Sequence, residues 1–307
     1  MRVFVTGGTG AIGGYAVPAL VAAGHEVRAL ARSEAGASAL RAQGATPTHV
    51  SLFDRNGLAE GFDGCAAVVN LASALPGTAS FVRLSAWEEC HRIRREGSAA
   101  VVDAAIAADV PRVLQESVAM VYADSGDQWI DEESPVDHYP IAAGNHAAEA
   151  SAHRFTGSGG TGVVLRFGLF YGAGAAHSEQ LMALARRRIG FRAGRPDAYV
   201  SSIHLADAAD AVVSALRAES GTYNIVDDLP VTKRHHTAAL AGAVGRHPVV
   251  TGPGRAALLL GARTTSLTRS LRVSNKRFRS ASGWQPHYAS VWEGYAQMAR
   301  RLDAVPG

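Results

Sequence analysis

TGGTGAIGG, the stretch Thr6–Gly14, lies between an apolar run at Arg2–Thr6 and an apolar helical stretch at Ala11–Ala23. Its pattern T-G-x-x-G-x-x-G consists of Thr6, Gly7, Gly10 and Gly13. Glycine lets the backbone turn sharply and approach a pyrophosphate closely, and the following helix N-terminus presents free N–H groups to the anion. Glycine-rich turns also end ordinary strands, but this one joins the first strand to the first helix. The stretch therefore predicts a dinucleotide-binding turn.

Short β-branched runs alternate with helical stretches through the first half of the chain. The predicted strands are Arg2–Thr6, His25–Ala31, Thr46–Ser51, Ala66–Ala72, Arg112–Val118 and Gly162–Phe167. The predicted helices are Ala11–Ala23, Ser33–Gln43, a short one after Asp54, Trp87–Ala108 and Ala142–Phe155. Such alternation is typical of parallel strands joined by right-handed crossovers. It predicts the α/β fold class with a Rossmann-type doubly wound parallel sheet.

The alternation loosens from residue 171 onward. There Tyr199–His204 and Thr222–Val226 are predicted strands, Leu205–Ala218 is a predicted helix, and the tail is mainly helical. We therefore predict a dinucleotide-binding Rossmann domain at residues 1–170. Residues 171–307 are predicted to form a small, mainly helical C-terminal substrate lobe, with the chain returning to the main sheet near residues 199–226. The cleft between the two is the expected binding site.

The composition excludes several classes of protein. Lysine and arginine total 30 against 27 aspartates and glutamates, and charged residues are 19% of the chain, so a nucleic-acid binder is not expected. Cys65 and Cys90 have the spacing of neither a zinc site nor a disulfide framework, and we predict no bound metal. A membrane-spanning apolar run of roughly 18 residues and a signal peptide are not expected either, which favours a cytoplasmic protein without membrane contact.

The end of the second predicted strand bears on the choice of dinucleotide. A carboxylate there would bind the ribose 2′-hydroxyl of NAD and repel the 2′-phosphate of NADP. The stretch HEVRALARS instead ends in Ala31, Arg32 and Ser33. Arginine forms forked hydrogen bonds to a phosphate and stacks on adenine, although a solvated strand-end residue is the alternative interpretation of Arg32. The sequence favours NADP(H) as the cofactor, and the missing carboxylate permits NAD(H) as well.

Several further segments resemble the extended short-chain dehydrogenase/reductase family, and the resemblance runs through most of the chain. They are Asp54-Arg55, Asn70–Ser73, Leu165–Gly174, Ser202–Leu216 with Asp207 as the expected helix cap, and the G-W-x-P at Gly283–Pro286. The resemblance implies a nicotinamide dinucleotide bound in the first domain. The cofactor contacts that we expect come from Gly7, Gly10, Ala11, Ile12, Gly13, Arg32, Ser33, Asp54, Arg55, Leu71, Ala72, Ser73, Asn145, Phe167 and Leu169.

The resemblance also implies a catalytic serine, a tyrosine and a lysine four residues after the tyrosine. In the family the tyrosine protonates the alkoxide that hydride transfer forms. Alignment on PIAAGNHAAEA and on the preceding strand places Val118 at the serine position, Ile141 at the tyrosine position and Asn145 at the lysine position. No lysine follows any of the eight tyrosines by four residues, and the chain has only two lysines, Lys233 and Lys276. The family's acid is absent.

Hydride addition to a ketone without that acid needs another source of the proton. A ketone with an adjacent phenol carries its own, because the phenol is already hydrogen-bonded to the carbonyl and has an ordinary pKa of about 10. The overall sequence also resembles ketoreductases of angucyclinone biosynthesis, and this resemblance implies an aromatic polyketide ketone as the small-molecule substrate. We therefore predict an NADPH-dependent ketoreductase that uses substrate assistance.

Some protein groups near the altered positions are candidates for a share in the chemistry. Ser117 and Asn145 are the candidate catalytic residues, as hydrogen-bond donors to a substrate or ribose oxygen, and a structural hydrogen bond is an equal alternative for Ser117. Tyr139, His138 and His146 are the nearest alternative acids. Two other functions stay open. One is a non-catalytic NADP-binding sensor or scaffold, and the other is a nucleotide-sugar epimerase or dehydratase, whose ketone intermediate requires the missing pair.

Overall fold

The computed structural model describes residues 1–304. Its strands are β1 (Arg2–Thr6), β2 (Glu26–Leu30), β3 (Thr46–Thr48), β4 (Ala67–Asn70), β5 (Arg112–Val118), β6 (Trp129–Ile130), β7 (Thr161–Phe167), β8 (Leu169–Tyr171), β9 (Ile189–Ala193), β10 (Tyr199–Val200), β11 (Ser202–His204), β12 (Gly221–Ile225), β13 (Val231–Thr232), β14 (Val250–Gly254) and β15 (Arg272–Val273). Its α-helices are α1 (Gly13–Ala22), α2 (Glu34–Ala42), α3 (Arg55–Phe62), α4 (Glu88–Arg92), α5 (Ser98–Ala107), α6 (Ala143–Gly157), α7 (Ala176–Arg186), α8 (Leu205–Ala215), α9 (Lys233–Ala243), α10 (Thr265–Thr268), α11 (Lys276–Ser282) and α12 (Val291–Asp303).

A seven-stranded sheet lies at the centre of the molecule, with strand order β12-β7-β5-β4-β1-β2-β3. Every adjacent pair in it is parallel. The direction of winding reverses between β1 and β4, and doubly wound sheets bind ligands at the carboxyl ends of the strands beside such a reversal. The Rossmann-type doubly wound fold expected from the alternation is confirmed.

Helices cover both faces of this sheet because its strands alternate their side chains between two cores. In β1, Val3 and Val5 point to one face of the sheet and pack with residues of α1, α2 and α8, including Leu20 of α1. Phe4, between them, points to the opposite face and packs with residues of α3 and α5, including Leu58 of α3. Near-continuous apolar runs such as β1 and β4 are therefore buried on both sides.

A second, smaller core lies in the C-terminal part of the chain. It is formed by α7, α9 and α12 through Met182, Leu240, Tyr295 and Met298. Strand β12 and helix α8 also lie beyond residue 170, yet they belong to the main sheet and its covering layer. The division of the chain into residues 1–170 and 171–307 stays a prediction. None of the helices within residues 1–304 combines the length and the apolar character that a membrane span requires.

The predicted helix Trp87–Ala108 is built as two helices joined by a π-helical turn at Ile93–Gly97. Turns of this kind occur often at functional sites. The π-turn carries Arg94, whose side chain is buried and reaches Ser73 after β4 and Glu116 near the end of β5. The turn thus lies against the carboxyl ends of two central strands.

The predicted strand Tyr199–His204 is two short strands in the structure rather than one, and that expectation is corrected. The structure divides it into β10, which pairs with β13, and β11, which pairs with β8. Between them Ser201 turns its hydroxyl to the carbonyl oxygen of Leu271 at 2.9 Å. The segment connects the sheet to the smaller core.

Asp207 does not cap α8, contrary to the sequence-based expectation. The cap is His204, whose Nδ1 accepts a hydrogen bond from the N–H of Ala206. The Asp207 carboxylate is buried and accepts hydrogen bonds from the N–H groups of His287 and Tyr288, at 2.9 and 3.0 Å. Its role is to hold the C-terminal segment to α8.

Candidate active site

The turn between β1 and α1 is closed so tightly that two of its glycines have no room for a side chain. Gly7 has φ +71°, and a Cβ there would lie 2.5 Å from the carbonyl oxygen of Leu71. A Cβ on Gly13 would lie 2.1 Å from the carbonyl oxygen of Gly7. Gly10 and Ala11 stay exposed at the mouth of the turn, where α1 presents its first N–H groups. This cradle fits the pyrophosphate of a dinucleotide.

The residues expected on the adenine side lie just beyond β2 and β3. Arg32 is exposed at the end of β2. Ser33 caps α2, because its Oγ accepts a hydrogen bond at 3.2 Å from the N–H three residues later. Asp54 caps α3 in the same way at 3.1 Å, and Arg55 forms an ion pair with Asp103. These residues have structural roles of their own, and their contacts with a cofactor stay predictions.

The family's serine and tyrosine positions lie in an apolar cluster. Ile141 is 1% exposed and packs with Trp87 and Tyr139, while Val118 lies at the edge of the same cluster. The Tyr139 hydroxyl donates to the carbonyl oxygen of Met120 at 2.9 Å, and burial raises the pKa of Tyr139 above its ordinary value. A phenol held in this way is a poor proton donor.

The other titratable candidates are also engaged elsewhere. His138 and His146 stack with ring centroids 4.2 Å apart, and His146 Nε2 lies 3.0 Å from the carbonyl oxygen of Asp137. Lys233 lies in the smaller core, where its Nζ donates to two carbonyl oxygens at 3.0 and 2.5 Å. Burial lowers the pKa of Lys233 to about 8. None of these three side chains replaces the family's tyrosine or lysine.

Ser117 has a structural partner. It is fully buried, and its hydroxyl donates to Glu149 Oε1 at 2.6 Å. The same carboxylate accepts two hydrogen bonds from Arg166, at 2.9 and 2.7 Å. Burial alone would raise the pKa of Glu149, but the guanidinium of Arg166 and the hydroxyl of Ser117 outweigh it and hold the pKa below its usual range. The catalytic role of Ser117 stays a prediction, with its hydroxyl already committed to this ion pair.

Asn145 lacks such partners. It is fully buried at the start of α6, and neither its Oδ1 nor its Nδ2 forms a hydrogen bond within the described residues. Leaving a buried polar group unpaired costs about 1–3 kcal/mol. Native proteins keep such a group mainly where a ligand or water completes it. The orphaned amide, at the position of the family's lysine, therefore fits the ribose hydroxyls of a dinucleotide.

Arg94 and Glu116 form a buried ion pair beside the site that sequence reasoning missed. Arg94 Nη2 donates to Glu116 Oε1 at 2.8 Å and to Oε2 at 3.0 Å, and both side chains are buried. A glutamate inside the predicted parallel strand RVLQESV was a usable signal, because a buried carboxylate requires a partner. The sequence does not indicate which of the neighbouring arginines that partner is.

The remaining predicted cofactor contacts lie at the carboxyl ends of β4 and β7. Leu71 is buried and Ala72 half-buried, while Ser73 is exposed with its hydroxyl 3.4 Å from Arg94. Phe167 is fully buried and Leu169 is 39% exposed. The structure thus places these predicted contacts along one edge of the sheet.

A family model described as the NAD dependent epimerase/dehydratase family matches residues 3–226. The chain belongs to this family. The match extends from β1 through β12 and includes the glycine turn, the altered catalytic positions and the full central sheet. The resemblance to extended short-chain dehydrogenases/reductases is therefore confirmed.

Individual relatives in this family include reductases. A Streptomyces sp. protein named 3-diazoavenalumate denitrifying reductase is 32% identical, over 96% of this chain and 99% of its own length. A Stigmatella aurantiaca protein named 4-hydroxy-2-methyl-3-oxo-4-farnesyl-3,4-dihydroquinoline-1-oxide ketoreductase is 33% identical, over 80% of this chain and 74% of its own length. These relatives identify the chain as an NAD(P)H-dependent oxidoreductase.

Solved structures agree with the fold. Human epimerase family protein SDR39U1, determined with NADPH, has a TM-score of 0.81 at 25% identity, covering 98% of this chain and all of its own. The UDP-glucose 4-epimerase of Thermus thermophilus, determined with NAD, has a TM-score of 0.80 at 23% identity and full coverage of both chains. The second likeness shows the fold alone.

Proposed function

We propose that this family member is an NADPH-dependent ketoreductase of aromatic polyketide ketones that carry a phenol next to the carbonyl. The observation that carries the proposal is the apolar packing of Ile141 and Val118 where the family has its tyrosine and serine. Among the candidate acids, the hydroxyls of Ser117 and Tyr139 and the imidazole of His146 are committed to other partners. The site retains a dinucleotide cradle and lacks the family's tyrosine.

The cofactor's contribution follows from the cradle. A bound nicotinamide dinucleotide supplies the hydride, and Gly7 and Gly13 leave the space that its pyrophosphate requires. The free amide of Asn145 would hydrogen-bond the ribose. Arg32, exposed beyond β2, favours NADPH over NADH because a 2′-phosphate needs a cation, and NADH remains an acceptable cofactor.

The substrate provides the proton in this proposal. Hydride adds to the carbonyl carbon, the C=O π electrons move to oxygen, and the adjacent phenol gives its proton to that oxygen as the alkoxide forms. The product is an alcohol beside a phenolate, which regains a proton from water. Burial raises the pKa of Glu116, but both of its oxygens accept hydrogen bonds from Arg94 Nη2, and this cation favours the carboxylate, so Glu116 has no proton to donate in this proposal. The protein's task is to position the two reactants, which can supply much of a rate enhancement.

An exposed apolar segment supports a flat aromatic substrate. The leucine segment, Arg255–Arg263, passes close to the turn Pro140–Ala142 that carries Ile141. Its three consecutive leucines are 50%, 89% and 47% exposed, at Leu258, Leu259 and Leu260. Exposed leucines in a row are uncommon unless they bind something. The Stigmatella relative is named for a ketone on a dihydroquinoline, which supports a ketone on a fused ring system as the substrate.

Incubation with NADPH and a panel of hydroxyaryl ketones tests the proposal, with NADPH absorbance and product mass followed together. We expect oxidation of NADPH in equal amount to the alcohol formed. Tight NADPH binding without oxidation by any member of the panel would contradict the proposal and favour a sensor or scaffold. Conversion of a nucleotide sugar instead would favour an epimerase or dehydratase.

Denitrifying reduction is a second candidate, because the Streptomyces relative covers nearly the whole chain. Hydride addition to the terminal nitrogen of an aryl diazonium gives an aryl diazene, which loses N₂ and keeps the hydrogen on carbon. No external acid is needed for that conversion, so the absence of the tyrosine is compatible with it. Aryl diazonium compounds therefore belong in the same assay, and loss of N₂ with no ketone reduction would favour this candidate.

A further inference from the structure

Three residues with unpaired polar side-chain atoms lie around Gly144. A Cβ on Gly144 would lie 3.2 Å from Arg94 Cβ and 3.2 Å from His91 Cα, and Asn145 is the next residue. Arg94 Nε and Nη1, His91 Nε2 and both polar atoms of the Asn145 amide have no hydrogen-bond partner within residues 1–304. Native proteins leave few buried polar atoms unpaired, and a bound ligand or water is a common reason for one that is. The five atoms on these three neighbouring residues point to a bound polar group.

Arg94 is the charged member of this group. It is 1% exposed, and its hydrogen bonds are made by Nη2 alone, to the two Glu116 oxygens and, at 3.4 Å, to Ser73 Oγ. Glu116 therefore holds one corner of the guanidinium and leaves two N–H-bearing nitrogens without acceptors. Burial lowers the pKa of the neighbouring His91, which keeps that imidazole neutral.

The place also lies where a dinucleotide is expected. Ser73 follows β4, Glu116 belongs to the end of β5, and Asn145 stands at the position of the family's lysine. Gly7 of the cradle touches the carbonyl group of Leu71, two residues before Ser73. The unpaired atoms thus lie at the edge where the cofactor cradle and the altered catalytic positions meet.

We propose that Arg94 is a cofactor-binding residue that acts with Asn145, donating from Nε and Nη1 to the ribose oxygens of a bound nicotinamide dinucleotide and replacing the positive charge of the absent lysine. This inference rests on the dinucleotide binding included in the proposed function. A guanidinium stays charged throughout the ordinary pH range. Dinucleotide affinity therefore does not change with the titration of this cation, as it would with a lysine of lowered pKa.

The alternative is that Arg94 only neutralises Glu116. The two roles predict different consequences of Glu116→Gln. If the pair is purely structural, removal of either charge lowers the stability to a similar extent, because it leaves the other charge buried and unpaired. If Arg94 binds the cofactor, Glu116→Gln keeps the cation and its free donors, and Arg94→Met/Glu116→Gln removes them without leaving a buried carboxylate.

The experiment measures the Kd for NADPH by nicotinamide fluorescence, in the absence of substrate, for four forms of the full chain. These are the wild type, Glu116→Gln, Arg94→Met/Glu116→Gln and the control Arg95→Met, whose side chain is 66% exposed on the same turn. We expect the control and Glu116→Gln to bind within about threefold of the wild type. The double variant should bind about 10- to 100-fold more weakly, the range that a hydrogen bond to a charged group supplies.

Arg94→Lys is the second variant, in case the double variant does not fold. It retains a cation for Glu116 and loses the two free N–H-bearing nitrogens, so its Kd should also rise at least about tenfold. Equal affinity of Glu116→Gln and the double variant, or an unchanged Kd for Arg94→Lys, would overturn the inference. Wild-type protein that binds NADPH yet reduces no ketone would refute the proposed reaction and leave this comparison intact, and absence of all dinucleotide binding would refute both.

Discussion

Ser117 stands one residue before the position of the family's serine, and its hydroxyl donates to the buried Glu149–Arg166 pair. Ser117→Ala should lower the free energy of unfolding by about 1–3 kcal/mol, because it removes a hydrogen bond to a charged group. The kcat for a hydroxyaryl ketone should stay within about threefold, since substrate assistance requires no proton from this residue. Denaturant unfolding and steady-state kinetics measure the two effects.

Ser214→Ala is the matched control, because that hydroxyl donates to a backbone carbonyl on an exposed helix face. It should change neither quantity. A fall of kcat to background in Ser117→Ala with the fold retained would mean that the protein supplies the proton or binds the reacting oxygen. Substrate assistance would then be wrong.

For single residues, the sequence predicts which of the family's catalytic residues are absent more readily than which other residues take part in the site. The replacement of the tyrosine and lysine by Ile141 and Asn145 follows from counting residues along the segment 141–149. The partnership of Arg94 with Glu116 does not, because it joins a π-turn to a strand 22 residues away through tertiary packing. The prediction that Asp207 caps α8 was wrong for the same reason, since its partners are backbone N–H groups about 80 residues away.

The glycine turn is the element on which dinucleotide binding depends. Gly13→Ala places a Cβ 2.1 Å from the carbonyl oxygen of Gly7, so the start of α1 must shift away from the cradle. We expect NADPH affinity to fall by at least about 100-fold, because the pyrophosphate then loses both close backbone approach and the helix N-terminus. Fluorescence titration measures this effect.

Gly14→Ala is the control for this change. A Cβ on Gly14 meets no atom within 4 Å, and alanine is the better helix former inside α1. That variant should bind NADPH as the wild type does and unfold at a slightly higher temperature. Similar NADPH affinity in Gly13→Ala and Gly14→Ala would contradict the assignment of the turn.

The leucine segment is the element that we expect to select apolar substrates. Leu259→Asp should leave the melting temperature unchanged, because Leu259 is 89% exposed in the free protein. It should raise the KM for a polycyclic hydroxyketone about tenfold or more, the effect of losing one buried leucine side chain. Val249→Asp, also exposed and at the opposite end of β14, is the control. An equal KM in both variants would exclude the segment from substrate binding.

Helices and strands with a strong pattern of apolar residues were predictable from the sequence, but not all of their exact ends were. Strand β5 occupies the predicted Arg112–Val118, because every residue in it fits a buried parallel strand. The π-turn within Trp87–Ala108 was not predicted, because such turns are rare within α-helices. The split of Tyr199–His204 depends on Ser201 bonding to a distant carbonyl, which local propensity does not encode.

One buried histidine, His236, should contribute a loss of stability to the whole molecule as the pH falls below neutral. Burial lowers the pKa of His236 to about 4, so the folded state binds fewer protons than the unfolded state between pH 4 and 6.5. The stabilisation is present above pH 6.5 and decreases as the pH falls toward 4. Its size is on the order of 3 kcal/mol for a shift of this extent.

His236→Gln tests this pH dependence, because glutamine can still hydrogen-bond to Tyr295 and does not titrate. Denaturant unfolding at pH 7 and pH 4.5 should show a smaller loss of free energy of unfolding in the variant than in the wild type. Buried Asp227 has a raised pKa and acts in the opposite direction in both proteins, so the comparison cancels its contribution. The same pH dependence in both proteins would show that His236 does not titrate as described.

The central claim concerns the source of the proton, and a matched pair of substrates tests it most directly. The measurement is kcat/KM with NADPH for one aromatic ketone that bears a phenol beside the carbonyl and for its O-methyl ether. Methylation removes the proton and leaves the ring system almost unchanged. We predict that the ether is reduced roughly 10²- to 10⁴-fold more slowly, the usual contribution of a general acid. Reduction of the ether at a rate close to that of the phenol would contradict substrate assistance and require an acid from the protein.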